Sequence, residues 1–330
     1  MYPLDLSFPE LCGITIALDA LELRILTYQC TLASDATVWG IGLHTGARVR
    51  LRLTPAPANT GIVFRRIDLE GFIIEARAKN VARVSYATSL MKKGVLISTT
   101  EHLLSALAAA GVDNGFIDID NLEVPILDGS ALPFYRLIQW AGIKQQRARR
   151  TYVQVLRPVE VVEGNRRVSV FPAKRLRITY GIAFSHPLIG EQSMEFVPQD
   201  GGYEAEIAPA RTFGFLQEAE MLRSSGLIRG GSLENAVVLT REGMMNPEGL
   251  RFPDEFCRHK ILDLVGDLAL LGHPLIGHVV AERAGHAMHY ALVSRLLRER
   301  SAWTLVDGDD AERQPPAGRP RQLAAAVARR

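Results

Sequence analysis

Between residues 49 and 53 apolar and basic side chains alternate, Val49-Arg50-Leu51-Arg52-Leu53, the period-two pattern of a strand with one buried face. Pro55, Pro57 and Gly61 then break the chain. Residues 98–110 predict a helix, with Thr99 or Thr100 to cap it and Gly111 to end it. Residues 116–119 read as a short strand, 125–130 as a turn and 132–141 as a second helix. The polar, basic stretch 144–150 reads as a linker. Strands are then predicted over 152–162, 167–171 and 176–184. A long amphipathic helix over 252–271 stops at Gly272, and a strand over 275–281 and a helix over 285–298 follow.

Each half thus runs strands, helix, glycine, strand, helix. Glu101-His102-Leu103-Leu104 opens the first helix of one half, and Arg258-His259-Lys260-Ile261 lies in its counterpart. This argues for an internal structural repeat and an α+β fold: two similar α/β-sandwich domains, face to face, with the active site at their junction. The expected division is an extension over 1–26, a first domain over 27–146, a second over 147–305 and a tail over 306–330, rich in Pro and Arg from Asp309 onward. Residues 207–238 have no counterpart in the first half. They read as a βαβ insert that binds a ligand; a hairpin capping the core explains the pattern equally well.

Composition narrows the function. The 330 residues carry 38 basic and 36 acidic side chains, a net charge of +2, too weak a field for general nucleic-acid binding. Three cysteines with no CxxC pair argue against a disulfide framework and fit reduced thiols in the cytoplasm. No apolar run reaches ~18 residues, so no membrane-spanning segment is expected. Residues 11–26 look apolar, but Asp19, Glu22 and Arg24 interrupt them, and no basic n-region and cleavage site mark a signal peptide.

The motifs HExxH, GxSxG and the P-loop are absent, which leaves the eight histidines. His186 and His273 precede prolines and read as turn residues. His278 falls in a strand and His289 on a helix, both with structural or solvated roles. His259 and Asp263 are four apart on a strong helix and share a face, with Asp267 one step further on. Alone, such a pair is common. If the two halves face each other, His102 adds a third ligand, and two His plus one Asp with an open position is a catalytic zinc arrangement. Glu101 is then placed to take a proton from water, and His286 to act as acid or electrophile.

Seven strings, in order, carry a resemblance over roughly residues 28–305: Gly42-Leu43-His44-Thr45-Gly46, Pro55-Ala56-Pro57-Ala58-Asn59-Thr60-Gly61, Thr100-Glu101-His102-Leu103, Pro125-Ile126-Leu127-Asp128-Gly129-Ser130, Ala210-Arg211-Thr212-Phe213-Gly214-Phe215, Arg258-His259-Lys260-Ile261-Leu262-Asp263 and Gly285-His286-Ala287. With them the chain resembles the UDP-3-O-acyl-N-acetylglucosamine deacetylases, a family of two similar α+β domains around a site. The resemblance implies a cytoplasmic Zn2+ hydrolase acting on acylated UDP-N-acetylglucosamine in lipid A (lipopolysaccharide) biosynthesis, and a monomer is expected. It places zinc ligands at His102, His259 and Asp263, the base at Glu101, a protonated histidine at His286 with Asp267 orienting it, and an oxyanion-binding hydroxyl at Thr212. Substrate contacts fall on Lys260, Phe184, Arg283 and Phe213, and the acyl passage on Leu216, Ala219, Leu222 and Leu227. The family usually has Lys where Arg283 stands. A further basic position that contacts phosphate in some members falls at Leu156, beside Arg157. Two rivals are a zinc amidase for another acylated sugar or peptide, and a non-catalytic binding protein on the same fold.

Overall fold

The computed structural model describes residues 27–198 and 201–309; the extension expected over 1–26 and the tail from 310 lie outside them. In chain order the first half comprises β1 (Tyr28–Leu32), β2 (Ala36–Ile41), β3 (Arg48–Pro55), β4 (Ile62–Arg66), β5 (Phe72–Glu75), β6 (Val81–Arg83), β7 (Ser89–Lys92), β8 (Val95–Ile97), α1 (Glu101–Ala109), β9 (Gly115–Ile119), α2 (Leu132–Ala141) and β10 (Ile143–Arg149). The second comprises β11 (Thr151–Val155), β12 (Val159–Glu163), β13 (Arg166–Phe171), β14 (Arg177–Phe184), β15 (Gly190–Phe196), β16 (Phe213–Phe215), α3 (Leu216–Ser224), β17 (Val237–Leu239), α4 (Glu255–Leu268), β18 (Leu275–Ile276), β19 (His278–Glu282), α5 (His286–Arg298) and β20 (Trp303–Asp307).

Two five-stranded sheets share one topology. The first runs β2-β3-β9-β4-β5 and the second β12-β13-β19-β14-β15. In each, a single parallel pair, β4 with β9 or β14 with β19, sits among antiparallel neighbours. β3 shows why these residues form a half-buried strand: Val49, Leu51 and Leu53 are buried, while Arg48, Arg50 and Arg52 face out. The helices α1 and α4 pack against each other. Both are buried almost all round, as helices enclosed within a core are. Leu103, Leu104 and Leu107 of α1 join Ile261, Leu262 and Leu264 of α4 in one continuous core, each worth about 1.5–3 kcal/mol when fully buried.

The structure corrects several expectations. Residues 144–150 are no linker: β10 pairs antiparallel with β1, and the boundary expected at 146/147 falls inside it. The stretch 152–162 is two strands, broken at Leu156-Arg157-Pro158. The strand expected over 275–281 splits at Gly277, where a Cβ would lie 2.9 Å from Val155 and 3.1 Å from the Phe171 carbonyl; β18 and β19 enter different sheets. β20 extends into the expected tail and pairs with β11. The insert is a βαβ unit, with β16 and β17 parallel and α3 between them. The first half has its own insertion at the same topological point, the three-stranded sheet β6-β7-β8.

Candidate metal centre and active-site cleft

The first turn of α1 carries Glu101 and His102, and α4 presents His259, Asp263 and Asp267 at successive i+4 steps. Gly266 lets the two helices meet here: a Cβ on it would sit 2.1 Å from the Glu101 carbonyl oxygen. Thr100 holds the N-cap position but makes no cap bond. Its hydroxyl instead donates to the Thr88 carbonyl at 2.9 Å.

His102, His259 and Asp263 converge, each offering one ligand atom within 4.8 Å of the others, and all three are buried. Nε2 of His259 and of His102 lie 3.3 and 3.7 Å from Asp263 Oδ1. The Nδ1 of His259 is 3.0 Å from the Ala210 carbonyl, so its proton sits there and the Nε2 lone pair faces Asp263. Asp263 Oδ1 and His102 Nδ1 are buried with no hydrogen-bond partner, and buried polar atoms are otherwise nearly always paired. An unpaired carboxylate oxygen facing two imidazole nitrogens fits a divalent cation. The protonation states fit as well. Burial keeps His102 neutral, lowering it to about 3, and lowers His259 in the same way. Burial works against the Asp263 charge, but His259 and Lys260 outweigh it and hold the carboxyl well below its ordinary range. Neutral imidazoles and an ionised carboxylate are the forms that bind metal.

Asp267, His286 and His289 form a second cluster of three potential ligands, but its bonds are satisfied internally. Asp267 Oδ2 accepts from Nδ1 of His286 at 2.8 Å and of His289 at 2.9 Å. Asp267 Oδ1 accepts from the Thr88 hydroxyl, and His289 Nε2 lies 2.8 Å from the Tyr180 hydroxyl. This is a hydrogen-bonded relay and not a cation site. Its outer member, His286 Nε2, stands 3.7 Å from Glu101 Oε1 and 3.8 Å from Asp263 Oδ2. Burial opposes charge on His286, but the Asp267 carboxylate, then Asp263, prevails and raises it to about 9. Burial raises Glu101 to about 7 against the pull of His286.

Glu101, His102, His259, Asp263 and His286 border a cleft of about 440 Å³. Of the residues expected to touch substrate, Phe184, Thr212, Phe213, Lys260 and Arg283 line it. Phe184 and Phe213 meet edge to face at 5.9 Å, and the Lys260 ammonium lies 2.7 Å from Asp263 Oδ2. The loop bearing Thr212 is braced from both halves: its N–H donates to the Gly129 carbonyl at 2.8 Å, and the preceding Arg211 is buried in an ion pair with Glu255. Leu216, Ala219, Leu222 and Leu227 do not border the cleft. Leu216, Ala219 and Leu222 are spaced along one face of α3, where only Leu222 is buried.

Leu156 is exposed and does not line the cleft; Arg166, in the β12–β13 hairpin, does, as do Lys260 and Arg283. A basic residue after the Gly164-Asn165 turn was the available signal, usable only once the hairpin was placed over the site. Thr88 left no sequence signal. His289, three residues after His286 on one helix face, did, and it proves buried against Asp267.

The profile of the family described as UDP-3-O-acyl N-acetylglycosamine deacetylase matches residues 29–298. A UDP-3-O-acyl-N-acetylglucosamine deacetylase of Solibacter usitatus (strain Ellin6076) is 52% identical over 284 residues, covering 86% of this chain and 96% of that protein. Proteins of the same name from Syntrophotalea carbinolica (47% over 287 residues, 87% of this chain and 93% of theirs) and Myxococcus xanthus (48% over 279 residues, 84% and 89%) are similar over the same extent. Among the described residues no helix is long and apolar enough to cross a membrane. With two sheets of one topology, with helices α1 and α4 meeting at a His-His-Asp group, and with relatives this similar over most of their length, the chain belongs to the UDP-3-O-acyl-N-acetylglucosamine deacetylase family.

Proposed function

We infer that this chain hydrolyses the acetamide of UDP-3-O-[(R)-3-hydroxyacyl]-N-acetylglucosamine to acetate and the free amine, the committed step of lipid A biosynthesis. The observation that carries the reading is the unpaired, buried Asp263 Oδ1 facing the His102 and His259 nitrogens, with Glu101 and His286 beside it. His102, His259 and Asp263 are the ligands, and zinc is the ion that two imidazoles and one carboxylate suit. Zinc held there supplies Lewis-acid polarisation and lowers the pKa of water.

The protein's own groups do the rest. Glu101 is the general base. Its Oε2 is tied to the Thr88 N–H at 3.0 Å, which leaves Oε1 toward the cleft to take the proton of the attacking water. The water oxygen bonds to the acetamide carbon, and the Thr212 hydroxyl donates to the oxygen that gains charge. The C–N bond then breaks and the nitrogen takes a proton. His286, kept charged by Asp267, offsets the developing negative charge and stands within reach of the leaving amine. Phe184 and Phe213 give an apolar wall for the nucleotide part, and Arg166, Arg283 and Lys260 bring positive charge for the diphosphate. The acyl chain passes along the Leu216, Ala219, Leu222 and Leu227 face of the insert. The two repeated halves act as the two domains, with the reaction at their junction.

The test compares turnover of acylated and non-acylated UDP-N-acetylglucosamine by mass spectrometry. Strong preference for the acylated form supports the reading. Equal turnover of both would point to an amidase of another kind, and turnover of neither to a binding protein.

A further inference from the structure

We propose that Thr88 is a positioning residue for this reaction, aligning the base with the acid relay across the two halves of the molecule. The inference rests on the roles given above to Glu101, Asp267 and His286. Thr88 lies between β6 and β7 in the first half's insertion, and it is buried. Every polar atom it has is used. Its N–H donates to Glu101 Oε2 at 3.0 Å. Its hydroxyl donates to Asp267 Oδ1 at 2.5 Å and lies 3.3 Å from His286 Nδ1. Its carbonyl accepts from the N–H of Thr100 at 3.1 Å and from its hydroxyl at 2.9 Å, fixing the loop to the start of α1.

The geometry explains what the hydroxyl adds. Both imidazoles that bond to Asp267 use the same oxygen, Oδ2. Among the described residues Oδ1 accepts only from Thr88, so without that hydroxyl the carboxylate is free to turn about its Cβ–Cγ bond and carry His286 with it. The same residue holds Glu101, so one loop of the first half sets the distance between a base on α1 and a relay built on α4 and α5. A shift of about 1 Å in such a pair costs on the order of 100-fold in rate. Thr88 need not touch substrate for this: it acts through Asp267.

Thr88→Val keeps the shape and the backbone N–H but removes the hydroxyl. In the zinc-loaded full chain it should lower kcat about 10- to 100-fold, with KM and zinc content unchanged, and Thr88→Ser should restore most of the loss. In an Asp267→Asn background, Thr88→Val should cost little more, because coupled residues are non-additive. If the valine variant does not fold, Thr88→Ala against Thr88→Ser makes the same comparison. Parental kcat in the valine or alanine variant, a serine variant as slow as the valine one, or effects that multiply fully with Asp267→Asn would each overturn the inference. Glu101→Gln is measured alongside. If it is inactive while Thr88→Val is normal, only the role of Thr88 fails; if it turns over normally, the assignment of the base fails and the inference with it.

Discussion

Replacing Gly266 with alanine sets two effects of opposite sign against each other. Within an isolated helix the change favours α4 by about 0.8–1 kcal/mol. In this molecule the new Cβ would lie 2.1 Å from the Glu101 carbonyl oxygen, 2.8 Å from its carbon and 3.1 Å from its Cα. The obstacle is backbone, so no rotamer relieves it. Reaching ordinary contact, 3.4 Å or more, requires α1 and α4 to separate by at least about 1.3 Å, and overpacking of this kind costs about 1–3 kcal/mol. The steric term therefore wins, and Tm falls. The separation acts where it does most harm: Glu101 and His102 move with α1, while His259 and Asp263 stay with α4. Metal sites tolerate only about ±0.2 Å in ligand distance, so the variant should bind zinc more weakly and lose on the order of 100-fold in kcat/KM. Thermal melting, metal analysis of the purified protein and steady-state kinetics measure the three quantities. A Gly266→Ala protein with raised Tm, full zinc and normal turnover would refute the claim that this glycine sets the helix contact under the site.

Glu101→Ala and His286→Ala should each lower kcat by about 100-fold or more and retain zinc, since neither is a ligand; near-normal turnover in either would remove it from the mechanism. The pH profile of kcat/KM should be a bell. The base must be ionised, so activity falls as pH drops through the Glu101 limb, at about 7 from the protein groups alone and lower with a cation beside it. The acid must be protonated, so activity falls as pH rises through about 9. Asp267→Asn should bring that upper limb down toward the ordinary imidazole value of about 6.5, and an unmoved limb would show that another group sets it. Ala219→Glu, half-exposed on α3, should leave Tm nearly unchanged and lower kcat/KM for the acylated substrate at least about tenfold, since each buried methylene is worth about 0.8 kcal/mol. A stable variant with unchanged acyl preference would place the acyl chain elsewhere.

The convergence of His102, His259 and Asp263 was legible because two share a helix face at i and i+4 and the third opens the matching helix, so helical geometry plus the repeat brings them together. The helix α2 was legible to the residue, since its apolar positions keep one face. β10 was not: Ile143, Lys144, Gln145, Arg147 and Arg149 are exposed, and a strand with so little buried surface leaves little hydrophobic alternation to read. The break at Gly277 was hidden for another reason: an apolar run says nothing about which sheet each end joins. The insert looked apolar in sequence, yet α3 buries only Leu222, so those leucines gave no warning that they stand apart from the cleft. The contact between Thr88 and Asp267 spans 179 positions, and no local pattern carries it.

In the proposed mechanism a zinc ion on His102, His259 and Asp263 makes this chain a deacetylase. This is tested most directly by following acetate release from the acylated substrate by mass spectrometry, in untreated enzyme, after removal of metal with a chelator, and after zinc is restored. Turnover is expected in the first sample, loss in the second and recovery in the third, with no recovery in Asp263→Ala. Undiminished turnover after complete removal of metal would contradict the mechanism.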